Sequence, residues 1–292
     1  MIFHNMLLVF SVVILSAQSL TGSAVPERVA YKALHQKVGN ADMVPEGQAN
    51  KILNVRDLLL KKARYAKDCN ELIRQGFKDS GLYVIQPQPV ESTPMIVVNC
   101  EMEYDCGGWT LLEKKSRQSP LTWNETWTTY EYGFGNVLGD HYLGNLYMHY
   151  ITSQMWYKVR IVMDQMNDAN KMIQRYAEYD MFRVGSSLTG YKLYLGGFTG
   201  NGGDAMTVFD NLVDNMPFST RDQDSDQDSA NCALKYGGGW WFNTCASDTP
   251  YAMLTQKESI HWQPFCKNCS KVQIMVRSVN MYCPRRGMIT KY

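Results

Sequence analysis

Eight cysteines set narrow limits on how this 292-residue chain can fold. Thiols pair in an oxidising compartment and stay reduced in the cytosol, so an even number of cysteines favours an extracellular protein held by disulfides. Eight cysteines allow on the order of 100 pairings, and their number alone selects none of them. The residues are Cys69, Cys100, Cys106, Cys232, Cys245, Cys266, Cys269 and Cys283.

The first 24 residues are predicted to be a signal peptide. The stretch from Met6 to Leu15 is almost entirely apolar, and it is shorter than the ~20 residues that a membrane-spanning helix needs. Small residues at Gly22 and Ala24 favour cleavage before Val25, with a second candidate site before Leu20. An uncleaved membrane anchor is the weaker alternative. We therefore expect a soluble, secreted protein with no membrane insertion.

Two N-glycosylation motifs fit the same compartment. They begin at Asn124, in Asn-Glu-Thr, and at Asn268, in Asn-Cys-Ser. Asn268 is the less favoured site, because a disulfide at Cys269 would hinder the glycosyltransferase.

Residues 25–67 are predicted to form an extension before the main domain. Residues 25–46 contain proline and glycine and show no periodicity, so we expect a flexible arm. In residues 48–67 apolar side chains recur every three or four positions, the pattern of an amphipathic helix, over fewer than the ~3 to 4 heptads of a coiled coil. We expect this helix to pack on its own domain, with weak homo-oligomerisation as the alternative. The apolar residues are Ile52, Val55, Leu59, Ala63 and Ala66.

The body from Asp68 onward has the pattern of a compact domain that mixes helices with antiparallel strands. Apolar residues alternate in three segments, as expected for strands with one buried face. Short helices are predicted at residues 69–75 and around 126–132. The Gly-rich and Asp-rich stretch from 196 to 240 is expected to form long ordered loops, which are usually functional or tied down. The alternating segments are 157–163, 191–195 and 272–276.

Four aspartates at alternate positions form the most informative stretch of the sequence. Their carboxylates repel one another unless a cation lies among them, and oxygen ligands of this kind are those that Ca²⁺ prefers. An EF-hand is excluded, because its loop needs Gly at the sixth position and Glu at the twelfth, where this chain has Gln227 and Ala233. A solvated acidic loop is the alternative. The aspartates are Asp222, Asp224, Asp226 and Asp228.

Cys232 and Cys245 frame the segment that follows these aspartates. If the two cysteines are bonded, they close a loop of 14 residues counting both ends. The loop-entropy model assigns such a bridge ~3 kcal/mol of stability. It would hold the acidic stretch in shape.

A series of motifs follows one order along the body: Asp68-Cys-Asn-Glu-Leu-Ile-Arg-Gln-Gly76, Ser80-Gly-Leu-Tyr-Val-Ile85, Gly107-Gly-Trp-Thr110, Tyr132-Gly-Phe-Gly135, Leu143-Gly-Asn145, Phe218-Ser-Thr220, Asn231-Cys-Ala233 and Trp240-Trp241. Over about residues 68–280 the chain resembles the fibrinogen C-terminal domain family, which includes fibrinogen-like proteins, angiopoietins, ficolins and tachylectins. Without a long coiled coil or a collagen stalk, it is most similar to a short fibrinogen-like protein. The resemblance implies an α+β globular domain with antiparallel sheets, long ordered loops and a calcium loop near the C-terminal part.

The resemblance also implies specific covalent features. Two disulfides are implied, Cys69 with Cys100 and Cys232 with Cys245. A cis peptide bond is implied between Thr244 and Cys245.

The calcium site follows from the resemblance in the same way. It would use the side chains of Asp224 and Asp226 and the main-chain carbonyls of Asp228 and Ala230. The contacts at the last two positions depend only on backbone shape. Ca²⁺ is therefore the cofactor that we expect.

The ligand pocket of the family is altered in this chain. Many members have a His directly after the second cysteine of the latter pair, where this chain has Ala246. The stretch from Cys245 to Trp262 is also shorter than in fibrinogen. These departures argue against recognition of a peptide amino terminus or an acetyl group. An aromatic ligand surface remains predicted, with core packing as the alternative for its rings. This surface comprises Tyr236, Trp240, Trp241, Phe242, Ala246 and Tyr251.

Four cysteines lie outside the pairs that the resemblance implies. We predict that Cys106 bonds to Cys283 and so joins the first strands to the carboxyl-terminal tail. The spacing of Cys266 and Cys269, with His261 nearby, superficially suggests zinc. A single Cys-x-x-Cys in an oxidising compartment favours a disulfide instead.

The function that these features predict is recognition without catalysis. The sequence contains no Gly-x-Ser-x-Gly elbow, no His-Glu-x-x-His and no Walker loop. A formal net charge of +1 removes the strong field that an electrostatic nucleic-acid binder needs. We expect residues 68–286, followed by a tail at 287–292, to be a calcium-stabilised module that binds an extracellular protein or a cell-surface receptor. A lectin for acetylated or anionic glycans and a structural matrix component are the alternatives.

Overall fold

The structure of this chain is a computed structural model. It describes residues 65–89, 93–208, 212–245, 252–256, 259–263, 265–280, 282–283 and 288–289. The predicted signal peptide and the predicted arm up to residue 64 lie outside these ranges. Within them, no helix combines the length and the apolar character that crossing a membrane requires.

The described residues form an α+β domain with short helices and antiparallel strands. The helices are α1 (Cys69–Arg74), α2 (Trp127–Tyr132), α3 (Asn145–Thr152) and α4 (Cys232–Tyr236). The strands are β1 (Gly81–Ile85), β2 (Ile96–Glu101), β3 (Trp109–Ser116), β4 (Phe134–Gly135), β5 (His141–Tyr142), β6 (Tyr157–Met166), β7 (Met172–Tyr179), β8 (Phe182–Val184), β9 (Leu193–Leu195), β10 (Phe198–Gly200), β11 (Ala252–Met253), β12 (His261–Trp262), β13 (Lys271–Ser278), β14 (Tyr282–Cys283) and β15 (Met288–Ile289).

One sheet of nine strands organises the domain. Its order is β1-β2-β3-β13-β6-β7-β10, with β5 paired to β3 and β4 paired to β5. Strand β13 lies between β3 and β6 and pairs antiparallel with both. The first and last parts of the domain therefore share one sheet. The pairs β8–β9, β11–β12 and β14–β15 lie outside it.

The strand predictions are confirmed where apolar alternation is strongest. The alternating residues Tyr157, Val159, Ile161 and Met163 are buried on β6, and Val272, Ile274 and Val276 are buried on β13. The segment 191–195 becomes a strand only at Leu193. Tyr191 has a φ of 51°, a left-handed conformation that a strand does not accommodate.

A β-bulge interrupts the pairing of β3 with β13. Met275 lies opposite Leu111, whereas the preceding Ile274 lies opposite Glu113, so Leu112 is an extra residue. An extra residue reverses the alternation of faces along the rest of a strand.

This reversal decides which side chains of β3 enter the main core. Before the bulge, Trp109 and Leu111 form a small cluster apart from the main core. After it, Glu113 and Lys115 turn to the other face and are buried, at 0% and 1% exposure. Two ionisable side chains thus lie inside the domain.

Two predicted helices are confirmed, and each begins after a capping residue. The carboxylate of Asp68 accepts the N–H of Glu71 at 2.8 Å at the start of α1. The hydroxyl of Thr126 accepts the N–H of Thr129 at 3.3 Å at the start of α2. Such caps satisfy donors that have no partner within the helix. Helices α3 and α4 were not predicted.

The predicted helix at residues 48–67 is wrong at its carboxyl-terminal end. Residues 65–67 are not helical. The carbonyl of Ala66 accepts the N–H of Gln86 at 2.8 Å, and the Ala66 side chain is buried in the main core. Tertiary packing beside β1 therefore overrides the helical pattern here, and the rest of this prediction lies outside the described residues.

Candidate functional site

Residues 218–245, called the acidic loop below, bring the aspartates and the bond between Cys232 and Cys245 together. The backbones of Ser219 and Trp240 exchange hydrogen bonds of 2.9 and 3.1 Å and close the base of the loop. The side-chain amide of Asn231, which also caps α4, donates to the carbonyl of Thr220 at 3.1 Å. The loop is therefore tied at its base and in its middle.

Asp222 differs from the other three aspartates. Its Oδ1 accepts the N–H of Trp127 and the hydroxyl of Thr220, both at 2.8 Å. Trp127 is the first residue of α2, and the N–H groups in the first turn of a helix have no partners within the helix. Asp222 therefore anchors the acidic loop to α2, a role that the sequence did not reveal.

Asp226 lies beside Asp224 in the acidic loop. Its two carboxylate oxygens accept the N–H groups of Asp228 and Cys232, each at 3.0 Å. Partial burial and the neighbouring Asp224 carboxylate raise the pKa of Asp226 to about 6. Two carboxyl groups this close favour either a shared proton or a cation between them.

The carboxylate of Asp228 is committed to the backbone. Its Oδ1 accepts the N–H of Ala230 at 3.2 Å, and its Oδ2 accepts the N–H of Cys245 at 2.9 Å. These hydrogen bonds lower the pKa of Asp228. The main-chain carbonyl of Asp228 is therefore the group of this residue that is available to bind a cation.

The two disulfides that the resemblance implies are present, and their Cα atoms lie 5.6 Å apart in Cys69–Cys100 and 5.5 Å apart in Cys232–Cys245. The sulfurs of the second pair lie within 4.8 Å of a carboxylate oxygen of Asp228. They do not form a metal site, because metal-binding cysteines are thiolates and these two are bonded to each other.

The peptide bond before Cys245 departs from the resemblance. The structure gives the bond between Thr244 and Cys245 the trans form. Trans is the form that non-proline peptide bonds favour, by ~2.5 to 4 kcal/mol. The implied cis bond is therefore wrong for this structure.

The predicted aromatic ligand surface is wrong for its four described rings, which are between 1% and 6% exposed. The ring centroids of Trp240 and Trp241 lie 5.2 Å apart, and Trp241 packs against Phe218 at 5.0 Å. Large rings stabilise a fold most when their area is removed from water, so these rings pack in the core and do not face solvent. The buried rings are Tyr236, Trp240, Trp241 and Phe242, while Ala246 and Tyr251 lie outside the described residues.

A buried acid lies beneath these rings. Glu113 lines a cavity of about 10 Å³ together with Trp240 and Trp241. Among the described residues neither of its carboxylate oxygens has a hydrogen-bond partner, and burial raises its pKa to about 8. The sequence did not reveal Glu113, because the bulge that turns it inward has no signature in the residue pattern.

Three of the remaining four cysteines are also bonded. Cys266 and Cys269 form a disulfide with each other, which excludes the zinc alternative because no thiolate is left to bind the metal. Cys106 is disulfide-bonded too. Its pairing with Cys283 stays a prediction, since the Cys283 side chain lies outside the described residues.

Both glycosylation motifs lie in loops. Asn124 precedes α2, and Asn268 lies inside the short loop closed by Cys266 and Cys269. Both residues are partly exposed. Glycosylation of either one stays a prediction.

Comparison with known proteins places these features in context. Residues 65–281 match the family model described as fibrinogen beta and gamma chains, C-terminal globular domain. A fibrinogen-like protein 1-like protein of Gallus gallus is 44% identical over 204 residues, which cover 68% of this chain and 67% of the relative. Fibrinogen-like protein 1 of Homo sapiens is 36% identical over 231 residues, covering 76% and 70% of the two chains. The fibrinogen-like globe domain of human ANGPTL2 aligns with a TM-score of 0.65 at 28% identity, over 73% of this chain and 99% of that domain.

Proposed function

Because this chain belongs to the family of fibrinogen C-terminal globular domains, we propose that it is a secreted recognition module that binds an extracellular protein or a cell-surface receptor and catalyses no reaction. The observation that carries the proposal is the acidic loop, whose hydrogen bonds and disulfide fix its shape. A loop that is ordered before its partner arrives lowers the entropic cost of association.

Calcium is proposed to complete this order. The adjacent carboxyl groups of Asp224 and Asp226 fit a hard cation, because partial burial and the neighbouring Asp224 carboxylate raise the pKa of Asp226 when none is bound. Both carboxylate oxygens of Asp228 accept backbone N–H groups. We therefore propose that Asp228 binds the ion through its main-chain carbonyl, as Ala230 does. Bound calcium would neutralise the carboxylates and restrain the loop.

Calcium binding is tested by titration calorimetry and thermal melting of the secreted protein. An ion that binds only the folded state raises the melting temperature, and EDTA reverses the effect. Asp226→Asn should lose both the heat of binding and the calcium-dependent rise. A wild-type melt that calcium leaves unchanged, with no heat of binding, would contradict the site.

A protein partner is favoured over a glycan because the family's pocket is altered. Ala246 replaces the His found in many members, and the stretch before Trp262 is short. Glycan recognition commonly depends on multivalent presentation, for which this sequence offers no long coiled coil or collagen stalk.

The partner class is tested by screening the purified protein, in calcium, against an array of cell-surface receptor ectodomains and against a glycan array. We expect saturable binding to an ectodomain that weakens in EDTA and with Asp226→Asn. Reproducible micromolar binding to a glycan, with no ectodomain bound, would favour the lectin instead.

A further inference from the structure

Lys115 connects the central sheet to the hairpin β11–β12. The bulge in β3 turns this side chain to the core face, where it is 1% exposed. Its Nζ donates hydrogen bonds to the carbonyl of Gln256 and, at 2.8 Å, to that of Ser259. Both carbonyls belong to the connection between the two strands of the hairpin. One buried ammonium group thus holds two points of that connection.

The same connection docks on the acidic loop. The hydroxyl of Thr255 donates to the carbonyl of Gly239. A Cβ atom added at Gly238 would lie 2.2 Å from the carbonyl oxygen of Thr255, so only glycine allows this approach. The N–H of Gly239 donates to the hydroxyl of Tyr130 at 3.0 Å. The hairpin and the acidic loop therefore pack directly against each other, and the residues at their contact are buried.

The surroundings of Lys115 make its charge important. Its Nζ lies 5.1 Å from the centroid of the Trp123 ring, over its face. The ionisable groups that act on it are Glu113 and Asp140, which favour its charged form, and His261 lies close enough to be influenced by it. Burial dominates and lowers the pKa of Lys115 to about 8.

We propose that Lys115 is a positioning residue for the acidic loop, and that its ammonium group latches the hairpin β11–β12 against that loop. This inference rests on the proposed function for its biological meaning. The latch itself is a property of the fold and is measurable without any partner.

Hydrogen exchange of the full secreted protein, followed by mass spectrometry, tests the latch. Lys115→Met keeps the aliphatic stem and removes both hydrogen bonds. We expect about ten- to hundredfold faster exchange in residues 252–262, since hydrogen bonds to charged groups contribute that much. Exchange in β6 should stay unchanged. Lys114→Met is the matched control, because Lys114 lies on the opposite face of β3, where its Nζ donates to the Leu138 carbonyl at 3.4 Å.

A pH profile separates a latch from simple packing. As pH rises from about 7 to 9, exchange of residues 252–262, corrected for its intrinsic pH dependence, should accelerate as Lys115 loses its proton. The profile is measured in a Glu113→Gln background, because the Glu113 carboxyl has a pKa of about 8 and titrates in the same range. There, Lys115→Arg should keep the hairpin protected and abolish the pH dependence, because guanidinium does not titrate in that range.

Two results would overturn the proposal. The first is a hydrogen-exchange rate in residues 252–262 that is the same in Lys115→Met as in the control Lys114→Met. The other is acceleration that is equal in the hairpin and in β6, which would show general destabilisation. Hydrogen exchange is measured without calcium and without a partner. The test of Lys115 therefore stays valid even if the protein binds neither calcium nor a partner.

Discussion

The side chain of Asp228 holds the backbone of Cys245 across 17 positions of sequence, through a hydrogen bond of 2.9 Å from the cysteine N–H to Oδ2. The same carboxylate accepts the N–H of Ala230. One aspartate thus joins the middle of the acidic loop to the disulfide that ends it. Loop order in this part of the chain depends on that carboxylate as well as on the bridge.

Asp228→Ala should therefore weaken calcium binding even though the proposed ligand at this position is a main-chain carbonyl. Loss of a group that orients ligands typically costs about 10- to 100-fold in metal affinity. Calorimetric titration of the variant measures the change. Asp180→Ala is the control, because Asp180 lies outside the acidic loop, where its Oδ1 accepts the N–H of Gly197 at 2.7 Å, and its loss should leave calcium affinity within about threefold. Equal losses of calcium affinity in the two variants would show that the Asp228 carboxylate has no specific role in calcium binding.

Calcium affinity should also fall in mild acid. Without metal, the pKa of Asp226 is raised from 3.8 to about 6, so a proton competes with the cation below that pH. We expect about tenfold weaker binding at pH 5 than at pH 7, since about nine in ten Asp226 carboxyls are then protonated. Titrations at the two pH values measure this ratio. A constant affinity would mean that Asp226 does not bind the ion.

The sequence predicted those parts of the fold that repeat a simple pattern. Apolar alternation located β6 and β13, and short helices were predicted where α1 and α2 lie. The acidic loop was predicted by its alternating aspartates and flanking cysteines, which are local features. Each of these signals depends only on residues that are neighbours in sequence.

The missed features depend on contacts between distant segments. The bulge at Leu112 exists because β3 must pair with β13, about 160 residues later. It places Glu113 and Lys115 in the core, which strict alternation assigns to the opposite face. Burial of Trp240 and Trp241 likewise depends on rings such as Phe218. Residue type alone does not separate a buried ring from a binding ring.

Glycosylation is expected at Asn124 and not at Asn268. Asn268 lies in a loop closed by Cys266 and Cys269, three positions apart, and this short bridge restricts the extended conformation that an acceptor segment adopts. Protein secreted from eukaryotic cells should lose mass on treatment with peptide N-glycosidase. Asn124→Gln should abolish the shift, and Asn268→Gln should leave it unchanged. The reverse pattern would contradict this assignment.

Glu113 should make the domain less stable as pH rises. Its pKa is raised from 4.5 to about 8 in the folded protein. Between these values the unfolded chain releases the proton while the folded protein keeps it, which favours unfolding. Below pH 4.5 both states are protonated and the effect vanishes. The free energy of unfolding should fall by up to about 1.4 kcal/mol per pH unit across this window, relative to Glu113→Gln, which has no proton to lose.

Urea denaturation of the two proteins between about pH 5 and 8 measures the difference, and Glu125→Gln, with a partly exposed side chain, serves as the control. Parallel stability profiles for wild type and Glu113→Gln would show that the buried carboxyl finds a compensating charge in solution.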